Sequence, residues 1–226
     1  MERVDVLGYS VVATTLGETV RSGLQGLGDS KLPYFMACLN PHSYVVARKD
    51  DLFQAALRRA DCLLPDGTGI VLASKLLGNA VKERVAGFEY FEEFSRLADA
   101  EGGMSYFFLG ASPETLAAIT KQMSQQFPNI KVCGTLSPPF VSEFSPEEIE
   151  SIVRQVNESG ADVLWVGLTA PKQEKLIFEV LGELHVRFVG AIGAVFDFYA
   201  GTKARSPKWI RNIGISFLPR YLYSMF

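Results

Sequence analysis

Histidine and cysteine are scarce in this sequence, and neither is arranged as a metal site or a disulfide framework. The 226 residues include two histidines and three widely separated cysteines, with no Cys-x-x-Cys pair. This spacing argues against structural zinc and against a secreted disulfide scaffold. The sequence also has no His-Glu-x-x-His and no Asp-x-Asp motif. We therefore expect no bound metal, no cofactor and a reducing, cytoplasmic environment.

Long apolar runs and the common nucleotide-binding signatures are absent as well. No apolar stretch approaches the roughly 18 residues that a membrane-spanning helix needs, and the N-terminus does not resemble a secretory signal. The motifs G-x-G-x-x-G and G-x-x-x-x-G-K-[ST] are missing, which weighs against a nicotinamide dehydrogenase and an ATPase. The composition, 48% apolar and 21% charged, is that of a folded globular protein with one large domain or a compact pair.

Acidic residues are absent from the last 26 positions. This segment carries five basic residues, whereas residues 1–200 have a net charge of −8. Aromatic and aliphatic residues lie between the basic ones, a mixture suited to the boundary between lipid headgroups and acyl chains. The segment predicts either a peripheral contact with an anionic membrane or a C-terminal helix packed on its own core with a solvated basic rim. The residues expected to dock on a membrane are Lys203, Arg205, Lys208, Trp209 and Arg211. We expect no nucleic-acid partner.

Strand-like and helix-like segments alternate along the second half of the sequence. Apolar runs at 104–109, 130–134, 163–168 and 186–191 predict buried strands, and capped amphipathic stretches between them predict helices, the third reaching about residue 183. This alternation indicates an α/β fold, with a Rossmann-like, mostly parallel sheet and helices on both faces. In the less regular first half we predict strands at 4–7, 34–38 and 62–64 and helices at about 42–60, 68–77 and 88–101. Residues 1–200 form the predicted core, and 201–226 a C-terminal appendage.

The loops after the strands are the places where chemistry is expected. In open α/β sheets ligands bind beyond the carboxyl ends of the strands, here at 39–42, 65–69, 110–113 and 169–173. Asp66 follows a predicted strand within Pro-Asp-Gly-Thr-Gly and is a candidate general base. Asp before Gly is also a common turn pair, and Asp is a good helix N-cap, so a purely structural role is the alternative.

Each of the other polar residues in these loops has a functional and a purely structural interpretation. Arg84 offers a guanidinium for phosphate, or is a surface charge. A predicted helix begins with Lys172, Gln173 and Lys175 in its first turn. One interpretation is that these side chains bind an anion or a sugar at the helix N-terminus, and the other is that they form a plain solvated first turn. Asp197 is either a partner for a sugar hydroxyl or a helix acid stabilised by the dipole. His42, in a predicted ligand loop, stays a candidate.

Several of these motifs together resemble one known family. They are Asn40 before an apolar helix, Pro65-Asp66-Gly67-Thr68-Gly69, Glu83-Arg84-Val85-Ala86-Gly87, Ala170-Pro171-Lys172-Gln173-Glu174, and Phe196-Asp197 before Ala200-Gly201. In order and spacing the chain resembles the WecG/TagA/CpsF glycosyltransferases over nearly its whole length. The resemblance implies a Rossmann-like core with a membrane-docking appendage. It also implies transfer of a sugar from a UDP donor to a polyprenyl-diphosphate-linked saccharide, without a metal and with inversion of the anomeric centre.

The resemblance also implies roles for individual residues. Asp66 is the expected base, Asn40 and Gln173 line the reactive pocket, and Arg84 and the appendage residue Arg220 stabilise negative charge. The expected catalytic set is thus Asp66, Arg84, Gln173 and Arg220, and the expected substrate-binding set is Asn40, His42, Gly67, Thr68, Gly110, Thr169, Lys172 and Asp197. The chain departs from the family pattern at Cys38, where threonine is usual, at Thr169, where glycine is usual, and along 214–220.

The resemblance leaves several points open. The donor sugar is of N-acetylmannosamine, uronic acid or glucose type, and a homo-oligomer is one alternative for the assembly. Peripheral attachment to the inner face of a bacterial plasma membrane is the expected location. A nucleotide-sugar-binding module without catalysis is the alternative function, and a nicotinamide-dependent oxidoreductase is the other class considered.

Overall fold

A computed structural model describes residues 1–28, 31–79 and 81–203, and the chain in these ranges is an α/β protein. Its strands are β1 (Arg3–Val6), β2 (Tyr9–Val12), β3 (Tyr34–Leu39), β4 (Cys62–Pro65), β5 (Ser105–Gly110), β6 (Lys131–Leu136), β7 (Val163–Gly167) and β8 (Phe188–Ala191). Its helices are α1 (Leu16–Gln25), α2 (Pro41–Ala47), α3 (Asp51–Arg59), α4 (Thr68–Leu76), α5 (Gly87–Ala100), α6 (Pro113–Gln126), α7 (Pro146–Glu158), α8 (Lys172–Val180) and α9 (Val195–Tyr199).

Six strands form one parallel sheet in the order β4-β3-β8-β7-β5-β6, and β1 and β2 pair separately as an antiparallel hairpin. The carboxyl ends of all six parallel strands therefore lie at one edge. This confirms the predicted fold class. The appendage from Ala204 onward, including Arg205, Lys208, Trp209, Arg211 and Arg220, lies outside the described residues, and the domain boundary at residue 200 stays a prediction.

Side chains alternate between two apolar layers, one on each face of the sheet. In β7, Leu164 and Val166 belong to an aliphatic layer that is covered by α2, α3, α4, α7 and α8. Val163 and Trp165 point to the other face, into a layer rich in aromatic rings that is covered by α1, α5, α6 and α9. Burial on both faces explains why the strands read as continuous apolar runs in the sequence.

Most of the wrong predictions concern the first half of the chain. The predicted helix 42–60 is two helices, because Asp50 caps α3 by accepting a hydrogen bond from Phe53 N at 2.9 Å. β2 and α1 were not predicted, although Thr15 and Glu18 form a capping box at the start of α1. The fourth predicted strand starts at Phe188 instead of residue 186, and α8 ends at Val180 instead of residue 183. Among the described residues, no helix combines the length and apolarity required to cross a membrane.

Candidate active site

Asp66 is fixed at the carboxyl edge of the sheet by backbone hydrogen bonds. Its N–H donates to Leu39 O and to Leu64 O, both at 2.9 Å, so it is held between the ends of β3 and β4. Gly67 follows with φ 109°, a conformation that favours glycine. At Gly69 a Cβ would come within 2.6 Å of Pro41 Cγ, so the turn that leads into α4 packs on the start of α2.

The Asp66 carboxylate is paired with Arg84 and does not cap a helix. Arg84 Nη1 lies 3.3 Å from Asp66 Oδ1, and Arg84 Nη2 lies 3.7 Å from Glu89 Oε1. The N-cap of α4 is Gly67, which makes no side-chain capping bond, so the capping alternative for Asp66 is wrong. The segment that carries Arg84 is tied to the same turn, since Val85 N donates to Pro65 O at 3.3 Å.

This environment makes Asp66 an unusually weak acid. Desolvation by the surrounding protein raises the pKa of Asp66 to about 6, with Arg84 lowering it and Glu89 raising it further. The side chain is nevertheless 31% exposed, so a substrate can reach it. A reachable carboxyl group whose pKa lies near neutrality can accept a proton from a hydroxyl group.

Asn40 and His42 lie beside this turn, at the end of β3. Asn40 is the N-cap of α2: its Oδ1 accepts from Ser43 N at 2.9 Å, and its own N–H donates to Ser43 Oγ at 2.8 Å. The cap occupies the carbonyl oxygen and leaves the amide nitrogen as the group that can donate to a ligand. His42 is exposed in the first turn of α2. Together with Thr68, which begins α4, Asn40 and His42 place polar groups at the carboxyl edge of the sheet.

The first turn of α8 contains two buried polar side chains and two paired lysines. Gln173 and Glu174 are 4% and 2% exposed, and Gln173 Nε2 donates to Glu174 Oε1 at 2.9 Å. Burial raises the pKa of Glu174 to about 7, against the lowering effect of the bond from Gln173. For Gln173 the alternative of a solvated first turn is therefore wrong. The residue Thr169, before the turn, is exposed.

The lysines of α8 contact protein groups in a side cleft. Lys172 Nζ donates to Val141 O at 2.6 Å and lies 3.5 Å from the centre of the Phe144 ring. Lys175 Nζ lies 3.1 Å from Asp50 Oδ2. The cleft has a volume of about 460 Å³ and runs between α3, α8 and the loop before α7. The role of Lys172 in binding an anion or a sugar stays a prediction.

Cys38, where the family usually has threonine, is a partly buried thiol near the carboxyl end of β3. Burial raises the pKa of its thiol well above the ordinary value, and the charges of Asp66 and Glu174 raise it further. A Cβ at Gly87 would lie 3.2 Å from Cys38 Sγ, so α5 begins directly against this side chain.

The other predicted site residues lie at the same edge with different partners. Asp197, in α9, accepts from Lys203 Nζ at 2.5 Å. Gly110 ends β5 with φ 118°, and a Cβ there would come within 2.6 Å of Gly167 O. Gly110 is therefore required for the close approach of β5 and β7.

Glu89 and Glu174 were not among the predicted site residues. Glu89 lies in the first turn of α5, where an acidic residue is ordinary, so no sequence signal distinguished it. Glu174 stood within the quoted motif Ala-Pro-Lys-Gln-Glu, and only its burial marks it as unusual. Within the ranges that the structure describes, no group of three or more His, Cys, Asp or Glu side chains could hold a metal ion.

Known proteins resemble this chain over most of its length. A Bacillus subtilis (strain 168) protein named N-acetylglucosaminyldiphosphoundecaprenol N-acetyl-beta-D-mannosaminyltransferase is 26% identical over 194 residues, which are 86% of this chain and 73% of the relative. A Staphylococcus aureus (strain NCTC 8325 / PS 47) protein of the same name is 26% identical over 223 residues, 97% of this chain and 84% of the relative. The model of the Glycosyl transferase WecG/TagA/CpsF family matches residues 4–224. The chain therefore belongs to the WecG/TagA/CpsF family of glycosyl transferases.

Proposed function

We propose that this chain transfers an N-acetylmannosamine-type hexose from a UDP-sugar to a polyprenyl-diphosphate-linked saccharide, with inversion and without a metal. The relatives' names describe an N-acetylmannosaminyltransferase acting on N-acetylglucosaminyldiphosphoundecaprenol, which supports this donor sugar and acceptor class. The relatives' names therefore favour an N-acetylmannosamine-type donor over the uronic acid and glucose types. The product would serve in cell-surface polysaccharide synthesis.

The observation that carries the proposal is the Asp66 carboxylate, with its raised pKa and its Arg84 partner at the carboxyl edge of the sheet. In a single displacement, Asp66 takes the proton of an acceptor hydroxyl as that oxygen bonds to the anomeric carbon of the donor. The bond from this carbon to the diphosphate oxygen breaks on the opposite face, and UDP leaves with the electron pair. With a pKa of about 6, Asp66 is mostly ionised at pH 7 and above and is ready to accept the proton.

Basic and amide side chains supply the remaining functions in this proposal. Arg84 stabilises the negative charge of the diphosphate, with a guanidinium that can form two parallel hydrogen bonds. Arg220, outside the described residues, is assigned the same kind of role. Asn40 and Gln173 bind hydroxyl groups of the sugar, and Asp197 holds the nucleotide.

The test compares Asp66→Asn with the wild-type protein. Loss of a positioned base should lower kcat by about 100- to 10,000-fold, with the dissociation constant for UDP nearly unchanged. Transfer is measured by the mass of the product formed from UDP-N-acetylmannosamine and a short polyprenyl-diphosphate N-acetylglucosamine. The matched control is Asp51→Asn, the same chemical change at an exposed position in α3, which should behave as wild type.

Two outcomes would contradict the proposal in different ways. Near-normal turnover by Asp66→Asn would show that this residue is not the base. UDP binding by the wild-type protein without turnover of any UDP-sugar and acceptor would instead favour a nucleotide-sugar-binding module. A full loss of activity on addition of a chelator would contradict metal independence.

A further inference from the structure

Glu174 is a buried acidic residue to which the mechanism above gives no role. It is 2% exposed in the first turn of α8. The two lysines of the same turn do not neutralise it, since Lys175 pairs with Asp50 and Lys172 donates to Val141 O. Its side chain accepts a hydrogen bond from the neighbouring Gln173, whose Nε2 donates to Glu174 Oε1 at 2.9 Å.

The pair keeps two oxygen atoms without partners inside the protein. Glu174 Oε2 and Gln173 Oε1 are buried and accept no hydrogen bond within the ranges 1–28, 31–79 and 81–203. A buried polar atom without a partner typically costs about 1–3 kcal/mol of stability. An apolar side chain of similar length would fill the same space without that cost, so packing alone does not explain a glutamate here.

The bond to Glu174 fixes which way the Gln173 amide faces. A glutamine amide has a donor end and an acceptor end, and its neighbours decide their orientation. Because Glu174 Oε1 accepts from Gln173 Nε2, the acceptor atom of the amide, Gln173 Oε1, points away from Glu174. Gly193, at φ 52° in the turn after β8, lies against the amide: a Cβ there would be 3.5 Å from Gln173 Oε1 and 3.6 Å from Nε2. A side chain at Gly193 would therefore contact both ends of this buried amide.

We propose that Glu174 is a positioning residue that holds the Gln173 amide so that its Oε1 accepts a hydrogen bond from a hydroxyl or amide N–H group of the bound sugar. This inference rests on the proposed glycosyl transfer at the same edge of the sheet. The fold supports this placement, because Asp66 follows β4 and Gln173 follows β7 at the carboxyl edge of the same parallel sheet.

The first test measures binding, which does not require turnover. Isothermal titration of the full chain gives its affinities for UDP and for UDP-N-acetylmannosamine. In Glu174→Met the extra affinity that the sugar adds over UDP should be lost, while UDP itself binds as in the wild type. In Glu174→Gln the new amide oxygen can still accept from Gln173 Nε2, so the extra affinity should return. The control is Glu179→Gln, at an exposed position of the same helix.

The second test is a double-mutant cycle on transfer. Glu174→Met and Gln173→Ala should each lower kcat/KM by about 10- to 100-fold, as expected when a binding group is misplaced. If Glu174 acts through Gln173, the double variant should be no slower than Gln173→Ala alone. The thermal unfolding midpoint of Glu174→Met should equal or exceed that of the wild type, because the unpartnered carboxyl oxygen is gone.

Three results would overturn the positioning role: a loss in Glu174→Gln as large as in Glu174→Met, multiplicative losses in the double variant, or a fall in unfolding midpoint that accounts for the activity loss of Glu174→Met. Absence of transfer by the wild type would contradict the proposed function alone, since the binding comparison still decides whether Glu174 orients Gln173.

Discussion

The charge on Asp66 depends on three features of its surroundings. Desolvation raises its pKa most, Arg84 at 3.3 Å lowers it, and Glu89 raises it. If Asp66 is the base, it must be ionised in the free enzyme, so kcat/KM should fall as pH decreases through about 6. The midpoint of this acid limb reports on the balance between the two neighbouring charges.

Removal of each neighbouring charge should move that midpoint in opposite directions. Arg84→Met removes the positive charge that favours the carboxylate, so the midpoint should rise. Glu89→Gln removes a negative charge, so the midpoint should fall. Arg84→Met should also lower the maximal kcat/KM. The comparison therefore uses the pH at the midpoint of the kcat/KM profile and not the maximal value.

The control for this comparison is Glu93→Gln, a charge change on the same helix as Glu89. Glu93 is bonded to Arg96 at 2.7 Å and does not contribute to the shift of Asp66. The kcat/KM profile of Glu93→Gln should have the same midpoint pH as that of the wild type. Identical midpoints for the Arg84 and Glu89 variants would mean that another group titrates in the limb.

At the scale of elements, the aromatic layer limits which side chains the central strands can carry. Gly190, in β8, lies beneath Trp165, and a Cβ there would come within 2.3 Å of the Trp165 ring. Trp165 is fully buried and also packs on Phe91 and Phe188, both with ring centres at 5.1 Å. The ring therefore has little room to move away.

Gly190→Ala should lower the free energy of unfolding by about 1–3 kcal/mol, the usual effect of overpacking a core. The matched control is Gly17→Ala in α1, where a Cβ meets nothing within 4 Å. Alanine is the better helix former, so this change should be neutral or stabilising by no more than about 1 kcal/mol. Urea unfolding monitored by circular dichroism measures both. Equal free energies for the two variants would show that the sheet relaxes around the added methyl group.

At the scale of the whole molecule, charge is distributed unevenly along the chain. Residues 1–200 carry −8, whereas residues 201–226 carry +5. We propose that this separation turns the basic end toward an anionic membrane, where a polyprenyl-linked acceptor resides, on the inner face of the plasma membrane. Each Lys or Arg near such a surface contributes about 1 kcal/mol at ordinary salt.

Binding to anionic vesicles should exceed binding to neutral ones and weaken as salt is raised. Arg205→Gln and Lys208→Gln should each reduce the partition coefficient by about fivefold, the equivalent of about 1 kcal/mol. Co-sedimentation measures the bound fraction. Lys203 is unsuitable for this test because it is bonded to Asp197. The exposed Lys131, in β6, offers the matched control Lys131→Gln. Equal sedimentation with anionic and neutral vesicles at low salt would contradict membrane docking.

Local patterns in the sequence determined the fold class and most elements of the second half. The capping residues Ser112 and Ser145 and the apolar runs of β5 and β7 act over a few residues, so they can be recognised without knowledge of distant contacts. The motif order likewise led to the family, which the family match over residues 4–224 confirms. The split of helix 42–60 was missed because three polar residues before α3 did not interrupt the apolar spacing enough to distinguish one helix from two.

The tertiary structure alone decided how the site residues are paired and buried. Asp66 and Arg84 are 18 residues apart, and Lys175 and Asp50 are 125 apart. No local pattern specifies such contacts. The four polar residues of the first turn of α8 look alike in sequence, yet packing against the sheet buries Gln173 and Glu174. A pKa raised by desolvation depends on what covers a side chain, and that depends on how strands and helices from distant parts of the chain come together.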